Sequence, residues 1–393
     1  MKILMIYHHR AFRCHLRPGN LAERLAARGH EVTLMCVADT RRFGIREYDK
    51  NGVHWVETPD LLPGKLRSGW DPWCALNRWL WLRQHCDFDL VHAFETRPAT
   101  IHPLQLMLRK KKIPLVIDWI DWWGRGGLIA EHRPRWYQIL FGGFETFYEE
   151  HFRTMADATT VICHALEERA VGLGVPASTI SQIRIGSSTD VFSVTGPKTN
   201  RSEFGISKQA FVLVFSALDA ALDAEMVFKA VRVLKERHPE VQLVMTGNQQ
   251  DRLTSLANQI GISDHFTHLG LVPSEAFPRA LTCADVFLLP LQDKVANRGR
   301  WPCKVGDYLA CGRPVVSNPT GEMKILLSEE NVGLLADETP EGFAGAIENL
   351  IENEPLREQL GAEARRVAET RLNWDGMIDD LEQSYRVAFE AKE

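Results

Sequence analysis

The sequence lacks the features of a membrane-spanning, zinc-bound or disulfide-stapled protein. No uninterrupted apolar run approaches the roughly 20 residues that a membrane-spanning helix needs. The chain enters a strand-like segment, KILMIY, directly after Met1, without a signal-peptide pattern. Its eight cysteines include no CxxC pair, so neither a zinc site nor a disulfide framework is indicated. We therefore expect a protein with reduced thiols that is made and kept in the cytoplasm.

Length and composition predict a globular protein with two domains. A chain of 393 residues is too long for one ordinary core, and 45% hydrophobic with 25% charged residues is typical of globular proteins. The net charge of −5 is uneven, because residues 1–185 carry 25 Lys and Arg against 20 Asp and Glu, whereas residues 186–393 carry 21 against 31. The mild basic charge of the first half argues against nucleic-acid binding but is compatible with an acidic membrane surface or an acidic acceptor.

Strand-like runs alternate with amphipathic segments of helix length from the first residue to about Leu335. This alternation predicts an α/β fold in which parallel sheets are covered by helices on both faces. No GxGxxG motif follows the first strand, which argues against a Rossmann dehydrogenase. The polar segment Thr195–Ser207, which contains Gly196 and Pro197, is the best candidate for a linker between the domains.

The most informative stretch of the chain reads NRGRWPCKVGDYLACGRPVVSNPTGE, from position 297 to 322. Pro302 suits a first helical turn and Gly312 suits a left-handed C-cap, so the pattern predicts a helix at about Pro302–Cys311 that is followed by a strand, PVVS. An ordinary strand-helix unit with surface arginines would also produce this pattern.

Charged residues cluster where this helix is predicted to begin. Arg298, Arg300 and Lys304 surround an end whose unpaired N–H groups and partial positive charge favour an anion, and phosphate fits best. Asp307, about one and a half turns further on, could accept two hydrogen bonds from ribose hydroxyls. The stretch therefore indicates a nucleotide site.

The same stretch resembles the donor-nucleotide motif of retaining GT-B glycosyltransferases of the group 1 (family 4) type. In that family a Glu, seven residues and a second Glu bracket a Gly-aromatic-Pro turn and the helix after it. Trp301 and Pro302 fall on the turn, and Asp307 falls on the second acid, which in the family holds the ribose. Gly299 takes the place of the first acid, which in the family contacts the donor sugar. The Gly-Arg-Pro-Val-Val run that follows also matches.

The resemblance extends over nearly the whole chain and implies a GT-B fold, with two Rossmann-like, doubly wound domains facing across a cleft. It implies an acceptor-side domain at 1–194, a nucleotide-sugar-binding domain at 195–370 and a helix at 371–393 that crosses back to the first domain. The implied donor-binding residues are Arg298, Gly299, Arg300, Trp301, Pro302, Lys304, Asp307 and Gly247.

The implied activity is that of a retaining, hexosyltransferase-like enzyme. It moves a sugar from a nucleoside-diphosphate sugar to a hydroxyl acceptor, such as a growing glycan or a lipid-linked acceptor, without a cofactor or a metal. The triplet Asp87-Phe88-Asp89 has the form of a metal motif of another glycosyltransferase fold, but it precedes a strand, LVHAF, where an acid commonly marks a turn.

Two departures from the family keep a second function open. Related enzymes place a Gly-Arg pair, and later a Lys, after the strand FVLVFS to contact the donor diphosphate, whereas this chain has Ser216-Ala217-Leu218 and Asp219-Ala220-Ala221. The motif bases are the nearest substitutes for these contacts. The alternative is a non-catalytic nucleotide-binding partner of another glycosyltransferase. A nucleotide-sugar 2-epimerase would need acids and a histidine around the donor sugar that the sequence does not offer.

Candidate acceptor residues follow the strand PLVID. The run DWIDWWGRGG, from position 118 to 127, lies just beyond the carboxyl end of a predicted parallel strand, where ligands bind in open α/β sheets. Asp121 or Asp118 could bind acceptor hydroxyls or take the acceptor proton, and Trp122 and Trp123 would line the acceptor. In the family this segment often carries a His-Asp pair, but here Ile120 stands at the His position. The acids could instead cap a turn.

A second acceptor-side segment follows the first strand. Family members usually have a glycine-rich turn there, whereas this chain has His8, His9, Arg10 and Arg13. These side chains could contact an anion or the acceptor, and a solvated basic loop is the alternative.

The segment KLRSGWDPWCALNRWLWLR, from position 65 to 83, combines four tryptophans with four basic residues. Aromatic and basic residues on one short helix suggest a peripheral contact with the inner face of the membrane or with a lipid-linked acceptor. The alternative is a helix that packs its tryptophans against the sheet.

Overall fold

The chain folds into two compact units. The computed structural model describes residues 1–14, 17–40, 43–67, 69–192, 200–216 and 224–392. The first unit comprises Met1–Ile185, Gly299–Trp301 and the chain from Trp374 onward, and the second comprises Gly186–Arg298 and Pro302–Asn373. The first continuous segment of the first unit ends at Ile185. Residues 195–199 of the predicted linker lie outside the described residues, whereas 200–207 are described.

The first unit contains a sheet of eight described strands with helices between them. The strands are β1 (Lys2–Arg10), β2 (Glu31–Val37), β3 (Arg46–Lys50), β4 (Val53–Thr58), β5 (Leu90–Phe94), β6 (Leu115–Trp119), β7 (Ala158–Val161) and β8 (Ile180–Gln182). The helices are α1 (Ala11–Cys14), α2 (Pro18–Ala27), α3 (Pro72–Gln84), α4 (Pro98–Leu108), α5 (Leu128–His132), α6 (Arg135–His151) and α7 (His164–Gly172). Short 3-10 helices occupy Gly64–Arg67, Arg153–Met155 and Ala177–Thr179.

The strand order of this sheet is β3-β4-β2-β1-β5-β6-β7-β8. All the pairings are parallel except that of β3 with β4, which is an antiparallel hairpin. Asn51 and Gly52 close this hairpin with φ values of 52° and 77°, the left-handed pair that a two-residue turn of a twisted hairpin requires. The order reverses direction between β1 and β5, and the carboxyl ends of strands at such a point form the usual ligand crevice.

The second unit contains a sheet of six described strands. The strands are β9 (Phe211–Ser216), β10 (Val241–Thr246), β11 (Phe266–His268), β12 (Val286–Leu289), β13 (Val315–Ser317) and β14 (Gly333–Leu335). The helices are α8 (Ala224–Leu234), α9 (Gln250–Ile260), α10 (Phe277–Leu281), α11 (Val295–Arg298), α12 (Lys304–Ala310), α13 (Glu322–Glu330), α14 (Pro340–Glu352) and α15 (Glu354–Thr370), with 3-10 helices at Arg201–Phe204 and Ser263–His265.

This sheet is parallel throughout, in the order β11-β10-β9-β12-β13-β14. Its order reverses between β9 and β12, so ligands are expected beyond the carboxyl ends of these strands. The core packs α8 and α14 on the sheet through buried side chains such as Phe228, Val231, Phe343 and Ile347.

The last helix, α16 (Trp374–Glu390), belongs to the first unit although it follows the second in sequence. The hydroxyl of Tyr385 lies 2.9 Å from Nδ1 of His92 on β5, and both side chains are buried. At the surface, Arg28 pairs with Asp379 at 2.5 Å. Both ends of the chain therefore build the first unit.

The helix of the motif stretch is shorter than predicted, because α12 spans Lys304–Ala310, with Cys303 at the N-cap position. Its end agrees with the prediction, since Gly312 has a left-handed φ of 65° just beyond the Cys311 C-cap. No helix within the described ranges combines the length and the apolar character needed to cross a bilayer.

Candidate functional site

In the second unit, a cavity of about 290 Å³ lies at the carboxyl ends of β9 and β10. Its lining includes Ser216, Thr246, Gly247, Phe277 and Lys304. Ser216 ends β9 and Thr246 ends β10, so the cavity lies where the strand order favours a ligand. Of the predicted donor-binding residues, it brings together Gly247 and Lys304.

Hydrogen bonds hold the polar wall of this cavity. The hydroxyl oxygens of Ser216 and Thr246 lie 2.7 Å apart, and the backbone N–H of Ser216 donates to the buried hydroxyl of Tyr308 at 2.9 Å. Gly247 has a φ of 131°, a conformation that favours glycine, and its N–H donates to the carbonyl of Gly270 at 2.9 Å. These hydrogen bonds fix the positions of the residues that form the polar wall.

Lys304 and Asp307 lie together on α12. The ammonium group of Lys304 is 3.9 Å from the Asp307 carboxylate and 4.3 Å from the ring centre of Phe277. Burial raises the pKa of Asp307 to about 6, and the Lys304 charge acts against this rise. Asp307 is thus mostly ionised at pH 7 and can accept hydrogen bonds from hydroxyl groups.

Arg298 is already engaged within the second unit. Its guanidinium group donates two hydrogen bonds to Asp293, at 2.5 and 2.6 Å, and the side chain is exposed at the end of α11. A phosphate would have to compete with this carboxylate for Arg298. Pro302, the neighbouring predicted donor residue, is buried.

Gly299–Trp301 packs within the first unit rather than with the rest of the motif stretch. The carbonyl of Gly299 accepts a hydrogen bond from the N–H of Trp122 at 3.2 Å. A Cβ atom on Gly299 would lie 2.4 Å from the Cβ atom of Trp122, closer than carbon atoms can approach. The position that carries the first acid in the family thus has no space for a side chain here.

Three buried N–H groups lie close to the contact between Gly299 and Trp122. The indole N–H groups of Trp122 and Trp301 and the Nε atom of Arg300 have no hydrogen-bond partner among the residues that the structure describes. The guanidinium group of Arg184 lies 4.9 Å from the ring centre of Trp301. Because buried donors normally find acceptors, this group of side chains is suited to an oxygen-rich ligand.

Asp121 lies two residues beyond the end of β6 and is half-buried. Burial raises its pKa to about 6, while the charges of Arg300 and Arg97 act to lower it. A carboxyl group with a pKa near neutrality can take a proton at physiological pH. Asp121 therefore has the properties that a proton acceptor requires.

Asp118, the second predicted acid, is a different kind of residue. It lies within β6 and is fully buried, and its carboxylate accepts hydrogen bonds from Nε and Nη2 of Arg17 at 2.9 and 2.8 Å and from the hydroxyl of Thr160. Burial acts to raise its pKa, but Arg17 and these hydrogen bonds outweigh that effect and hold the pKa below its usual value. The structure makes Asp118 an internal counter-ion, and the proposal for the acceptor proton rests on Asp121.

The loop around Asp121 is held by buried acids that the sequence analysis did not single out. Glu149 of α6 accepts hydrogen bonds from the N–H groups of Trp123 and Gly124, at 2.8 and 2.6 Å. Glu95 accepts from the N–H of Ile120 at 2.9 Å, and burial raises its pKa to about 7.

Glu95 and Arg97 could have been found by the rule that found Asp121, because they follow the carboxyl end of β5. The guanidinium group of Arg97 lies 4.4 Å from the ring centre of Trp123. Arg97 thus joins the predicted acceptor-side residues.

The predicted acceptor-side residues of the first loop begin on β1, because this strand continues to Arg10. Burial, followed by nearby positive charge, holds the pKa values of His8 and His9 well below their usual range, so both rings are neutral at pH 7. The guanidinium groups of Arg10 and Arg13 lie 4.6 and 5.6 Å from the ring centre of Phe12. The arginines therefore supply the positive charge of this segment.

The tryptophan-rich segment at 65–83 is divided between a 3-10 helix and α3, and Ser68 lies outside the described residues. Trp81 is buried, as expected for the packing alternative, whereas Trp73 remains exposed. The ring of Trp70 lies 5.5 Å from that of Phe144 on α6. A membrane contact of this segment stays a prediction.

One group of side chains in the described part of the chain has the spacing of metal ligands: His238, Glu348 and Glu352, in the second unit. Arg237 already pairs with Glu348 at 3.0 Å. The expected absence of a metal from the reaction stays a prediction.

Comparisons with known proteins place the chain in a family. The model of the glycosyl transferase 4-like domain matches residues 15–186, and the model of the glycosyl transferases group 1 matches residues 198–367. The chain is 27% identical, over 206 residues, to the D-inositol 3-phosphate glycosyltransferase of Paenarthrobacter aurescens, which covers 50% of this chain and 49% of the relative. The chain spans about half the length of several of the curated relatives it matches.

Solved structures share the fold over the full length. Sucrose-phosphate synthase from Thermosynechococcus elongatus superposes with a TM-score of 0.77, at 16% identity, and covers 100% of both chains. HepE from Anabaena, solved in complex with UDP-glucose, has a TM-score of 0.71 at 17% identity and covers 98% of this chain and 99% of its own. With the two parallel-sheet units, these similarities show the GT-B fold. The protein belongs to the group 1 glycosyltransferases.

Proposed function

We propose that the protein moves a sugar from a nucleoside-diphosphate sugar to a hydroxyl acceptor with retention of configuration. The observation that carries this proposal is the cavity at the carboxyl ends of β9 and β10, which Lys304 lines and beside which Asp307 lies. HepE, which shares the fold, was solved with UDP-glucose, and this supports a nucleotide-sugar donor.

The donor would be held by charge and by hydroxyl recognition. Lys304 would neutralise part of the diphosphate, and Asp307 would accept hydrogen bonds from the ribose hydroxyls. Because Gly299 offers no side chain, contacts with the sugar would have to come from groups at other positions. Transfer would then proceed without a bound metal.

The acceptor would be bound at the carboxyl ends of β1, β5 and β6. Asp121 would take the proton of the attacking hydroxyl group, and Arg97, Arg10 and Arg13 would favour an acceptor that carries a negative charge. The name of one relative, a D-inositol 3-phosphate glycosyltransferase, supports an acceptor with phosphate. A lipid-linked phosphate would meet the same requirement.

Calorimetric titration with UDP, GDP, ADP and dTDP tests the donor assignment. We expect one nucleotide to bind and Asp307→Ala to weaken its binding by about tenfold or more, because two hydrogen bonds to a carboxylate are lost. Asp251→Ala, which removes an exposed carboxylate of α9 in the same unit, is the matched control and should leave the affinity unchanged. Equal affinity of the wild type and Asp307→Ala would refute the role of Asp307.

A non-catalytic nucleotide-binding partner is the second candidate function. The close contact between Gly299 and Trp122 favours this function. It leaves no space at position 299 for the acid that contacts the donor sugar in the family. The sequence after β9, most of which lies outside the described residues, also lacks the Arg and the Lys that contact the donor diphosphate in related enzymes. Slow hydrolysis of the bound nucleotide sugar by the purified protein would establish an enzyme, whereas binding without hydrolysis or transfer would favour the partner.

A further inference from the structure

Helix α6 exposes its apolar side chains and buries its acids. Its exposed large apolar residues, with the exposed fraction of each, are Trp136 (60%), Ile139 (81%), Leu140 (68%), Phe141 (44%), Phe144 (50%) and Phe147 (46%). Its buried residues are Glu145 and Glu149. Globular proteins normally place these two classes of residue the other way round, and a continuous exposed apolar surface marks an interaction site.

The spacing of the exposed residues forms one stripe along the helix. Trp136, Leu140 and Phe147 stand at helical spacings on a single line, with Ile139 and Phe144 on either side of it. From Trp136 to Phe147 the stripe is about 16 Å long. The stripe stands on a convex helix surface rather than in a groove. It is therefore better suited to insertion into a lipid layer than to binding a peptide.

The acids of α6 are neutralised inside the unit. Glu145 pairs with Arg133 at 3.3 Å, and Glu149 pairs with Arg169 at 3.0 Å. Glu150, which is largely buried, pairs with Arg169 at 2.7 Å and with Arg125 at 2.5 Å.

The side of α6 that faces solvent therefore carries no exposed carboxylate, as far as the described residues show. Arg135 is exposed at the start of the helix, and the side chain of Arg125, which pairs with the largely buried Glu150, is 66% exposed nearby. An apolar, aromatic stripe with cations at its margins is complementary to an anionic lipid surface.

We propose that α6 is an interfacial helix that docks the first unit on an anionic membrane surface. The stripe from Trp136 to Phe147 would enter the boundary between headgroups and acyl chains, and the marginal cations would contact the headgroups. The ring of Trp70 packs 5.5 Å from that of Phe144, so the tryptophan-rich segment adjoins the stripe. The docking surface is α6, which the sequence analysis did not predict.

The helix also connects this surface with the candidate acceptor loop. Glu149 binds the N–H groups of Trp123 and Gly124 from the buried side of α6. Docking would therefore hold the loop around Asp121 near the lipid surface. Only this consequence rests on the proposed function, since membrane binding itself does not depend on glycosyl transfer.

Vesicle flotation of the full-length protein tests the proposal. Wild-type protein should float with vesicles of phosphatidylcholine and phosphatidylglycerol, and less with phosphatidylcholine alone or at high salt. Leu140→Glu and Ile139→Glu should each reduce the bound fraction by about tenfold or more, because a charge replaces a side chain that would be buried in lipid. Phe43→Glu, at a residue of the first unit with 78% exposure, is the matched control and should bind as the wild type does.

Two further measurements separate the outcomes. Thermal unfolding of each variant shows whether it is folded, and the exposed positions predict no loss of stability. Calorimetric titration with the donor nucleotide should give the same affinity in all of them, so a failure of membrane binding is distinguishable from a failure of the proposed function. Equal flotation of the wild type and the α6 variants, or a dimer that Leu140→Glu dissociates, would overturn the proposal.

Discussion

At the scale of single residues, Asp121 is predicted to set the pH dependence of sugar transfer. Because burial raises its pKa to about 6, its carboxylate is half-protonated near that pH and able to accept a proton only above it. We expect kcat/KM to rise with pH through about 6 and then to level off. Asp121→Asn should lower transfer on the order of 100-fold or more, as the loss of a general base does. Initial rates measured between pH 5 and 8 check both expectations.

The control for Asp121 is the affinity for the donor. Asp121→Asn should leave nucleotide binding unchanged in calorimetry, because Asp121 is assigned to the acceptor. A pH profile that stays flat through 6, or full activity of Asp121→Asn, would contradict the assignment.

Gly299 is predicted to tolerate no larger side chain. A Cβ atom at this position would lie 2.4 Å from Cβ and 3.0 Å from Cε3 of Trp122, so the loop must move to accept alanine. We expect Gly299→Ala to lower the free energy of unfolding by about 1–3 kcal/mol, the usual cost of overpacking. Urea unfolding measures this difference.

Gly142→Ala is the matched control for Gly299→Ala, because a Cβ atom added at Gly142 on α6 meets nothing within 4 Å. Alanine there should be neutral or stabilising by up to about 1 kcal/mol, as expected inside a helix. Equal stability of Gly299→Ala and the wild type would show that the contact with Trp122 is not restrictive.

Helix α6 is the element on which the candidate acceptor loop depends. Glu149 accepts hydrogen bonds from the N–H groups of Trp123 and Gly124, and Arg169 neutralises its charge. Glu149→Ala leaves these buried donors and the Arg169 charge without their partner, so we expect stability to fall by about 3 kcal/mol or more. Limited proteolysis should cleave near Gly124 faster than in the wild type.

Glu168→Ala, an exposed acid on α7, is the control for Glu149→Ala and should change neither quantity measurably. An unaltered cleavage rate in Glu149→Ala would show that other contacts hold the loop.

The elements themselves were largely predictable from the sequence. The run FVLVFS coincides with β9, LVHAF coincides with β5, and KILMIY lies within β1. These segments have clear apolar patterns and clear ends. The hairpin of β3 and β4 was missed although Asn51-Gly52 is a strong hairpin signal. Its edge strand, REYDK, is polar and exposed, so it lacks the apolar pattern of a strand.

The side chains of the site were less predictable than the elements that carry them. The different fates of Asp118 and Asp121 depend on Arg17, which lies about a hundred residues earlier in the chain. Likewise, the pattern of α6 does not reveal which face is buried, because Arg133 and Arg169 bind its acids from other elements. Such partners are set by tertiary structure rather than by local sequence.

At the scale of the whole molecule, the two units differ in how the chain builds them. The second unit is formed from Gly186–Arg298 and Pro302–Asn373, whereas the first takes its last helix from the end of the chain. On that helix Trp374, Met377, Ile378, Leu381 and Tyr385 are buried. Composition alone does not place this division, because the difference in net charge between residues 1–185 and 186–393 does not show that the chain returns to the first unit at Trp374.

Removal of α16 should therefore destabilise the first unit, although residues 1–185 are distant from α16 in sequence. A chain that ends at Asn373 loses several buried apolar side chains, each of which contributes about 1.5–3 kcal/mol, and this total is comparable to the stability of an ordinary domain. It also leaves the buried His92 on β5 without Tyr385. We expect amide hydrogen exchange to accelerate strongly in β5 and β6 while exchange in β9 and β10 stays unchanged.

A chain that ends at Glu390 keeps the whole of α16 and should exchange as the full-length protein does. Unchanged protection of β5 in the shorter chain would show that residues 1–185 hold their fold without the terminal helix.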